Sequence, residues 1–581
     1  MKWLRGPLFV VETLLLTLIV LLALGPAPTE AGLQATIRYV LDDGGADAGD
    51  CSDDQAPCQT IQYALGQASG GDTIRLANKF APAVYAAMLT IDKPLTLEGG
   101  WNVTQLPSAL LWRKPAPCEA FRTVIDAVGC GRAVTVADGV DATFECLTIT
   151  RGDATGAGGG GPLGYDVGGG IYSRNGNLVV SHCVIRDSVA SRTGIAWGGG
   201  IGVHGGTAML RGNRIQGNTA STASNGYGGG VYLREMDAAE VSGNILRDNT
   251  ASTVASGYGY GGGLAAHFGA VTLHDNVVYN NTAHYGGGLW TVGHSALSVQ
   301  STIRDCQIYS NTAADYGGGI YAGYGDDLAL AGNDLHHNQA GLGGGAYLTS
   351  VPGGELTGNR LYTNTADYGA GLYLILSDGA TLTGNYIYDN QAAGLAGGLW
   401  IYSSTGVRLA NNMIVGNQLT GGGDGAGVHL YNSSTAEFLH TTLANNQGGG
   451  GQGLYIADSS TAALTNTLVA GNAVGIQVGA GCSAAMEATL WGAGSWSNGT
   501  DSVVDGTATF DPGTVVLSGD PAFVDAVQGD YHIGPASDAR EAGLVTSVLI
   551  DFDGQARLGM PDIGADEYVL TAYLPLVMRQ Y

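Results

Sequence analysis

The chain has 581 residues, 97 of them glycine and 16 proline, and its 50 acidic against 24 basic side chains give a formal net charge of −26. Glycine at about twice ordinary usage, with no Gly-X-Y period and ordinary proline, excludes collagen and fits plain disorder badly. The acidity excludes nucleic acid and bare polyanions as partners.

Residues 1–31 read as an export signal: Lys2 and Arg5 precede an apolar run from Leu14 to Leu24, and Thr29-Glu30-Ala31 supplies a small-residue cleavage site. An uncleaved anchor needs roughly 20 apolar residues, and Glu12 interrupts the stretch that begins at Leu8. The mature chain is expected to begin near Gly32 with no membrane span. Its charge is unchanged, because the segment carries two bases and two acids.

Eight cysteines in an exported chain suggest disulfides, and Cys51 with Cys58 and Cys118 with Cys130 are the favoured local pairings. The acidic loop "DDGGADAGDCSDD" holds Asp42, Asp43, Asp47, Asp50, Asp53 and Asp54, enough oxygen for Ca2+ but without EF-hand spacing. A solvated, disulfide-clipped loop is the simpler reading. "DFDG" at 551–554 has the same character, and no metal ligand is assigned.

From residue 121 to 482 the chain repeats with a period of 26 to 33 residues. Taking "GNRIQGN" as a frame aligns Cys183, Asn213, Asn244, Asn276, Cys306, Asn333, Asn359, Asn385, Asn412, Thr441 and Thr467, eleven repeats in all. Five residues later stand Ser188 and then ten asparagines: Asn218, Asn249, Asn281, Asn311, Asn338, Asn364, Asn390, Asn417, Asn446 and Asn472. Apolar residues two after and three before the frame mark two short strands, and the residue following each glycine cluster marks a third. A strand of three or four residues cannot bury a face alone, so equivalent strands must stack. The expected fold is all-β: a right-handed parallel β-helix with three short strands per coil. In it the asparagines become an inward corner column bonding to the coils above and below, and the glycines serve the next corner. Length changes between asparagine and glycines place the variable loops at one corner.

Cys183 and Cys306 are four repeats apart, on the order of 19 Å at ~4.8 Å per coil, too far for a disulfide to each other. The same stacking sets His284 beside Asp315, with Asp367 two coils beyond; these are the candidate catalytic residues, as an oriented base or as separated carboxylates. Polar residues on a solvated corner are the alternative. Trp290, Tyr321, Tyr347, Tyr373 and Trp400 follow the glycine-strand apolar residue in five successive coils, and alternation points them outward. Such a strip suits a glycan or a partner's apolar surface, or the rings stabilise the sheet among themselves. Every lysine (2, 79, 93, 114) precedes the aligned coils, which excludes a lysine base there.

The glycine and asparagine repeats over roughly 121–482 resemble right-handed β-helix proteins of the pectate-lyase-like superfamily, and more loosely the repeats of polymorphic outer membrane proteins. The segment "DAGDCSDDQAPCQTIQYALGQASGGDTIRLA" is similar to the start of secreted β-helix proteins; the resemblance implies a capping helix at about Thr60–Ala68 in an N-terminal region, 32–120. "GDPAFVDAVQGDYHIGPASDAREAG" and "PDIGADEY" resemble choice-of-anchor Q endings, which implies a C-terminal capping region over 483–568. The final 569–581 is similar to tails of secreted bacterial proteins. The superfamily's enzymes pair calcium-binding acids with an Arg or Lys base, or use Asn-Thr-Asp, Asp-Asp, Gly-His-Gly and Arg-x-Lys segments, and the chain reproduces neither set. The resulting expectation is a monomeric secreted or surface-displayed binding rod contacting glycans or cell-surface partners. The alternative is a polysaccharide lyase or glycoside hydrolase.

Overall fold

The computed structural model describes residues 35–569 apart from 80–81, 161–163, 294–300 and 326–327, so the export segment and the tail after Val569 lie outside the described residues. Within it the short apolar segments stack into a parallel, right-handed solenoid of about 12 turns. One coil shows the plan: strands Ile201–His204, Thr207–Arg211 and Arg214–Gln216 pair in parallel with Val231–Arg234, Ala238–Ser242 and Ile245–Arg247 of the next coil. The first column forms a 15-stranded sheet, and the other two share a 32-stranded sheet that bends between them. Alternation puts Val203, Leu210 and Ile215 inside at 0 % exposure, each contributing roughly 1.5–3 kcal/mol of apolar burial.

The corner expected to hold only loops carries further short strands, such as Thr219–Ser221 and Gly226–Tyr227, which build a separate 10-stranded sheet. Strands of two or three residues show no alternation in sequence. At the N-terminus a helix over Ile61–Gln67 closes the first coil, with Thr60 accepting the N–H of Tyr63 at its start and Ile61, Ala64 and Leu65 buried. Stacked strands continue past residue 482, through Ser483–Gly492 to Val516–Gly519.

Cys51 and Cys58 are bonded as expected, but Cys118 pairs with Cys146, 28 residues away, and Cys130 is free and exposed. Stacking brings a partner from the next coil to a Cα distance of 6.0 Å; proximity in sequence is the weaker guide in a solenoid. Cys183 and Cys306 are both free and buried.

The ten asparagines form a continuous ladder. Asn364 donates from its backbone N–H and its Nδ2 to Oδ1 of Asn390, both at 3.0 Å, and from Nδ2 to the Leu335 carbonyl at 2.9 Å. Its own Oδ1 accepts from N and Nδ2 of Asn338 at 3.0 and 3.1 Å. The ladder begins where Ser188 donates to Asn218 and extends one coil beyond the alignment to Asn498, whose Nδ2 donates to Asp501 at 3.0 Å. Residues just before the ladder adopt left-handed backbone, as at Thr363 (φ 50°), Asp389 (φ 52°) and Gly416 (φ 65°), a region tolerated by glycine and small polar residues. The alignment frame is itself a second ladder, running from Asn213 through Asn244 to Asn276 and from Asn333 through Asn359 and Asn385 to Asn412. Cys306 interrupts it. At the next corner a Cβ on Gly318 would lie 2.5 Å from the Gly344 carbonyl oxygen, so neighbouring coils exclude any side chain.

After Gly519 the chain folds back along the outside of the last coils. It covers Met413, Val415, Ala444, Leu468, Ala470 and Leu490, outward positions that are apolar where earlier coils carry Arg186, Gln216 and Arg247. Asn411 donates to the Ile550 carbonyl at 2.7 Å, Asn466 exchanges two bonds with Leu544, and Ala565 donates to Thr442 at 3.1 Å.

Candidate functional site

The expected catalytic constellation does not form a shared site. A bulge pairs Ala283 with Ala313 and Tyr285 with Tyr316, setting His284 against two residues rather than opposite Asp315 alone. His284 uses Nδ1 to accept the N–H of Gly259 at 3.1 Å and lies edge-on to Tyr258. Asp315 is half-buried, Asp367 is exposed, and among the described residues no hydrogen bond joins these three side chains.

The aromatic column lies outside the solenoid lumen, as alternation requires, but it is not an exposed strip. Trp290, Tyr321, Tyr347, Tyr373 and Trp400 are only 5–8 % exposed, because the rings preceding the glycines close over them. Tyr260 packs on Trp290 at 5.4 Å, Tyr285 on Tyr321 at 6.1 Å and Tyr368 on Trp400 at 5.5 Å between ring centroids. Two columns of rings thus make a second small core, and burial drives the Tyr321, Tyr347 and Tyr373 hydroxyls well above their usual pKa.

A different column is solvent-facing. Tyr279, Tyr309, His336, Tyr362 and Tyr388 sit three residues after each frame position and stack at 4.8 to 5.0 Å with interplanar angles of 1 to 22°. The sequence signal is present in that fixed offset. The ring faces are occupied by each other, leaving edges outward.

The acidic N-terminal loop spends its carboxylates on turns. Asp47 accepts the N–H groups of Gln59 and Thr60 and the Thr60 hydroxyl, and Asp50 accepts the N–H and hydroxyl of Ser52. Together with the Cys51–Cys58 bond this makes a clipped loop rather than a converging Ca2+ cage.

An open groove of about 600 Å³ crosses four coils on the outer face of the long sheet, lined by residues that include Asn177, Thr207, Met209, Glu240, Thr272 and His274. Alternation places these side chains on one surface, since Met209, Glu240 and Thr272 are register partners on successive strands. Arg211 donates to both oxygens of Glu240 at 3.1 and 2.8 Å, and Ser242 donates at 3.2 Å. The Arg211 guanidinium holds the Glu240 carboxyl below its ordinary range. His274 lies between two acids, with Nε2 3.4 Å from Glu240 and Nδ1 2.7 Å from Asp275. Glu240 and His274 are 34 residues apart, and only the coil register sets them side by side.

The family model described as the right-handed β-helix region matches residues 123–302, 297–450 and 343–489. Among solved structures, a periplasmic alginate epimerase, AlgG, shares 12 % identity over 61 % of this chain and 76 % of its own, with a TM-score of 0.33. The A-module of the Azotobacter vinelandii mannuronan C-5 epimerase AlgE6 shares 15 % over 79 % and 94 %, at 0.31. The pectate lyase Pel9A shares 12 % over 93 % and 98 %, at 0.22. At these scores none bears on chemistry. No curated protein sequence matches the chain. The family matches together span 123 to 489, more than half of the 581 residues, and the chain belongs to the right-handed β-helix family.

Proposed function

We propose that the protein is an exported or surface-displayed rod, acting as a monomer, that binds an extended polysaccharide along the outer face of its long sheet. The observation that carries this reading is the groove over four successive coils, a span of about 14 Å at ~4.8 Å per strand, floored by alternating apolar and polar side chains. A net charge of −26 repels uronate polymers, which makes an uncharged glycan the easier ligand. The two disulfides suit an oxidising compartment. In the same reading the C-terminal region is of the choice-of-anchor Q type and fixes the rod to its surroundings.

Affinity electrophoresis of the mature chain through a panel of neutral and acidic polysaccharides tests the groove. Met209→Arg is expected to weaken retention at least tenfold, and equal retention of both proteins excludes the groove as the binding surface. A second reading rests on His274 between Glu240 and Asp275 with Arg211 alongside: a base next to a cation could serve a polysaccharide lyase or hydrolase. Release of new ends from any polysaccharide, lost in His274→Ala, would favour it.

A further inference from the structure

The C-terminal fold-back brings together three side chains from separate segments. His532 comes from the strand Asp530–Ile533, Asp553 from the turn "DFDG", and Asp566 from "PDIGADEY". One ligand atom from each lies within 4.8 Å of the others, the one such group of three or more metal-ligating side chains among the described residues.

The imidazole is oriented. Its Nδ1 lies 2.6 Å from Oδ1 of Asp530; with the proton on that nitrogen, Nε2 is left as a lone pair. Nε2 is buried and has no hydrogen-bond partner, although Oδ2 of Asp553 is only 3.0 Å away. An imidazole nitrogen that makes no hydrogen bond is thus set against two carboxylates. Asp566 is 5 % exposed and accepts one hydrogen bond, from the N–H of Ile533 at 2.7 Å. The Arg557 guanidinium bonds through its two Nη atoms to Glu567, Asn411 and backbone carbonyls, none of them in this cluster.

One imidazole nitrogen and two carboxylates converge, with a single backbone N–H donating among them, and the set has the composition of a cation site. We infer that His532, Asp553 and Asp566 form a divalent metal site, with Asp530 as the outer carboxylate that fixes the imidazole. One nitrogen with two carboxylate oxygens suits Zn2+ better than Ca2+, which prefers six to eight oxygens. Around tetrahedral zinc, ligand atoms lie about 3.3 Å apart, so a modest closure of the turns completes the set. Asp553 is exposed, which leaves the remaining position to water. The ion would tie three irregular segments into one cap; the reading does not depend on the polysaccharide groove.

Titration calorimetry of the full mature chain, stripped with EDTA and dialysed at pH 7.5, tests the site with ZnCl2 and CaCl2. One equivalent of Zn2+ is expected to bind, with Ca2+ at least tenfold weaker. Asp553→Asn changes an exposed side chain whose partner is His532, so it should fold normally while weakening Zn2+ at least tenfold. Asp530→Asn should weaken it 10- to 100-fold through lost orientation. Absence of Zn2+ binding, or one-equivalent binding unchanged in Asp553→Asn, overturns the site. An imidazolium at His532 that persists in excess Zn2+ by NMR does so as well.

Discussion

At the asparagine corner every buried polar atom finds its partner in the adjoining coil, at a spacing set by the strands. The C-terminal fold-back does the opposite: Asp551, Asp562, Asp566 and Glu567 are all more than nine-tenths buried, with partners gathered from scattered positions. The first arrangement is repeated and local, so damage should stay near the altered coil. The second is unique and shared, so one change should release the whole segment.

The largest expected effect is Arg557→Leu, which strips Glu567 of its buried cation and Asn411 of its donor. Loss of about 3–5 kcal/mol from the docked segment is expected. It should be seen as rapid proteolysis within 520–569 while the coils resist; equal resistance to wild type would erase the contrast between the two regions. Asn338→Ala leaves the backbone N–H of Asn311 buried without an acceptor and takes one of the two from its Nδ2. A cost of about 3 kcal/mol is expected, with faster hydrogen exchange confined to the coils around residues 311–364. Protection lost evenly along the rod would contradict a nearest-neighbour ladder.

Acid should act through buried histidines in both regions. Burial lowers His429, among the stacked rings, to about 4, and burial with the Arg557 charge lowers His440, beneath the fold-back, to about 3. Both folded values lie below the ordinary 6.5, so each stabilises fully above that pH and loses its contribution as pH falls towards the folded value. Each slope is up to about 1.4 kcal/mol per pH unit. Asp566 is shifted upward and works in the other direction, its contribution lost as pH rises through about 6. Urea midpoints between pH 7 and 4 should therefore fall less in His429→Phe than in wild type; parallel curves would remove His429 as a cause. The smallest effect is Tyr309→Ala, which breaks the solvent-facing ring column between Tyr279 and His336 for about 1 kcal/mol.

Which features the sequence discloses follows from the same contrast. The strand positions, the Asn218-to-Asn472 column and the parallel stacking are visible because each is repeated. The capping helix that starts at Thr60 is expected only through the resemblance of its segment to the start of secreted β-helix proteins. The Cys118–Cys146 bond and the His532 cluster are not, because each depends on contacts between segments whose offset no repeat encodes; the Arg211–Glu240–His274 cluster follows the repeat register, but only at side chains that the repeat itself does not fix. The burial of Trp290 and Trp400 was hidden for another reason: alternation gives the side of the sheet a ring leaves from, not whether a second layer covers it. The switch from Arg186, Gln216 and Arg247 to Val415, Ala444 and Ala470 in one outward column was legible, and signals that something must lie over those coils.

The ladder also has a direction. Each side-chain amide donates to the amide of the following coil and accepts from that of the preceding one, its second Nδ2 hydrogen going back to a backbone carbonyl, so the amide-to-amide bonds from Asn218 to Asn498 run head to tail and polarise one another. The electropositive end of that row meets the Asp501 carboxylate. An array built in this way carries a built-in polarity, and growth by an extra winding is favourable only in the sense that keeps every amide pointing the same way.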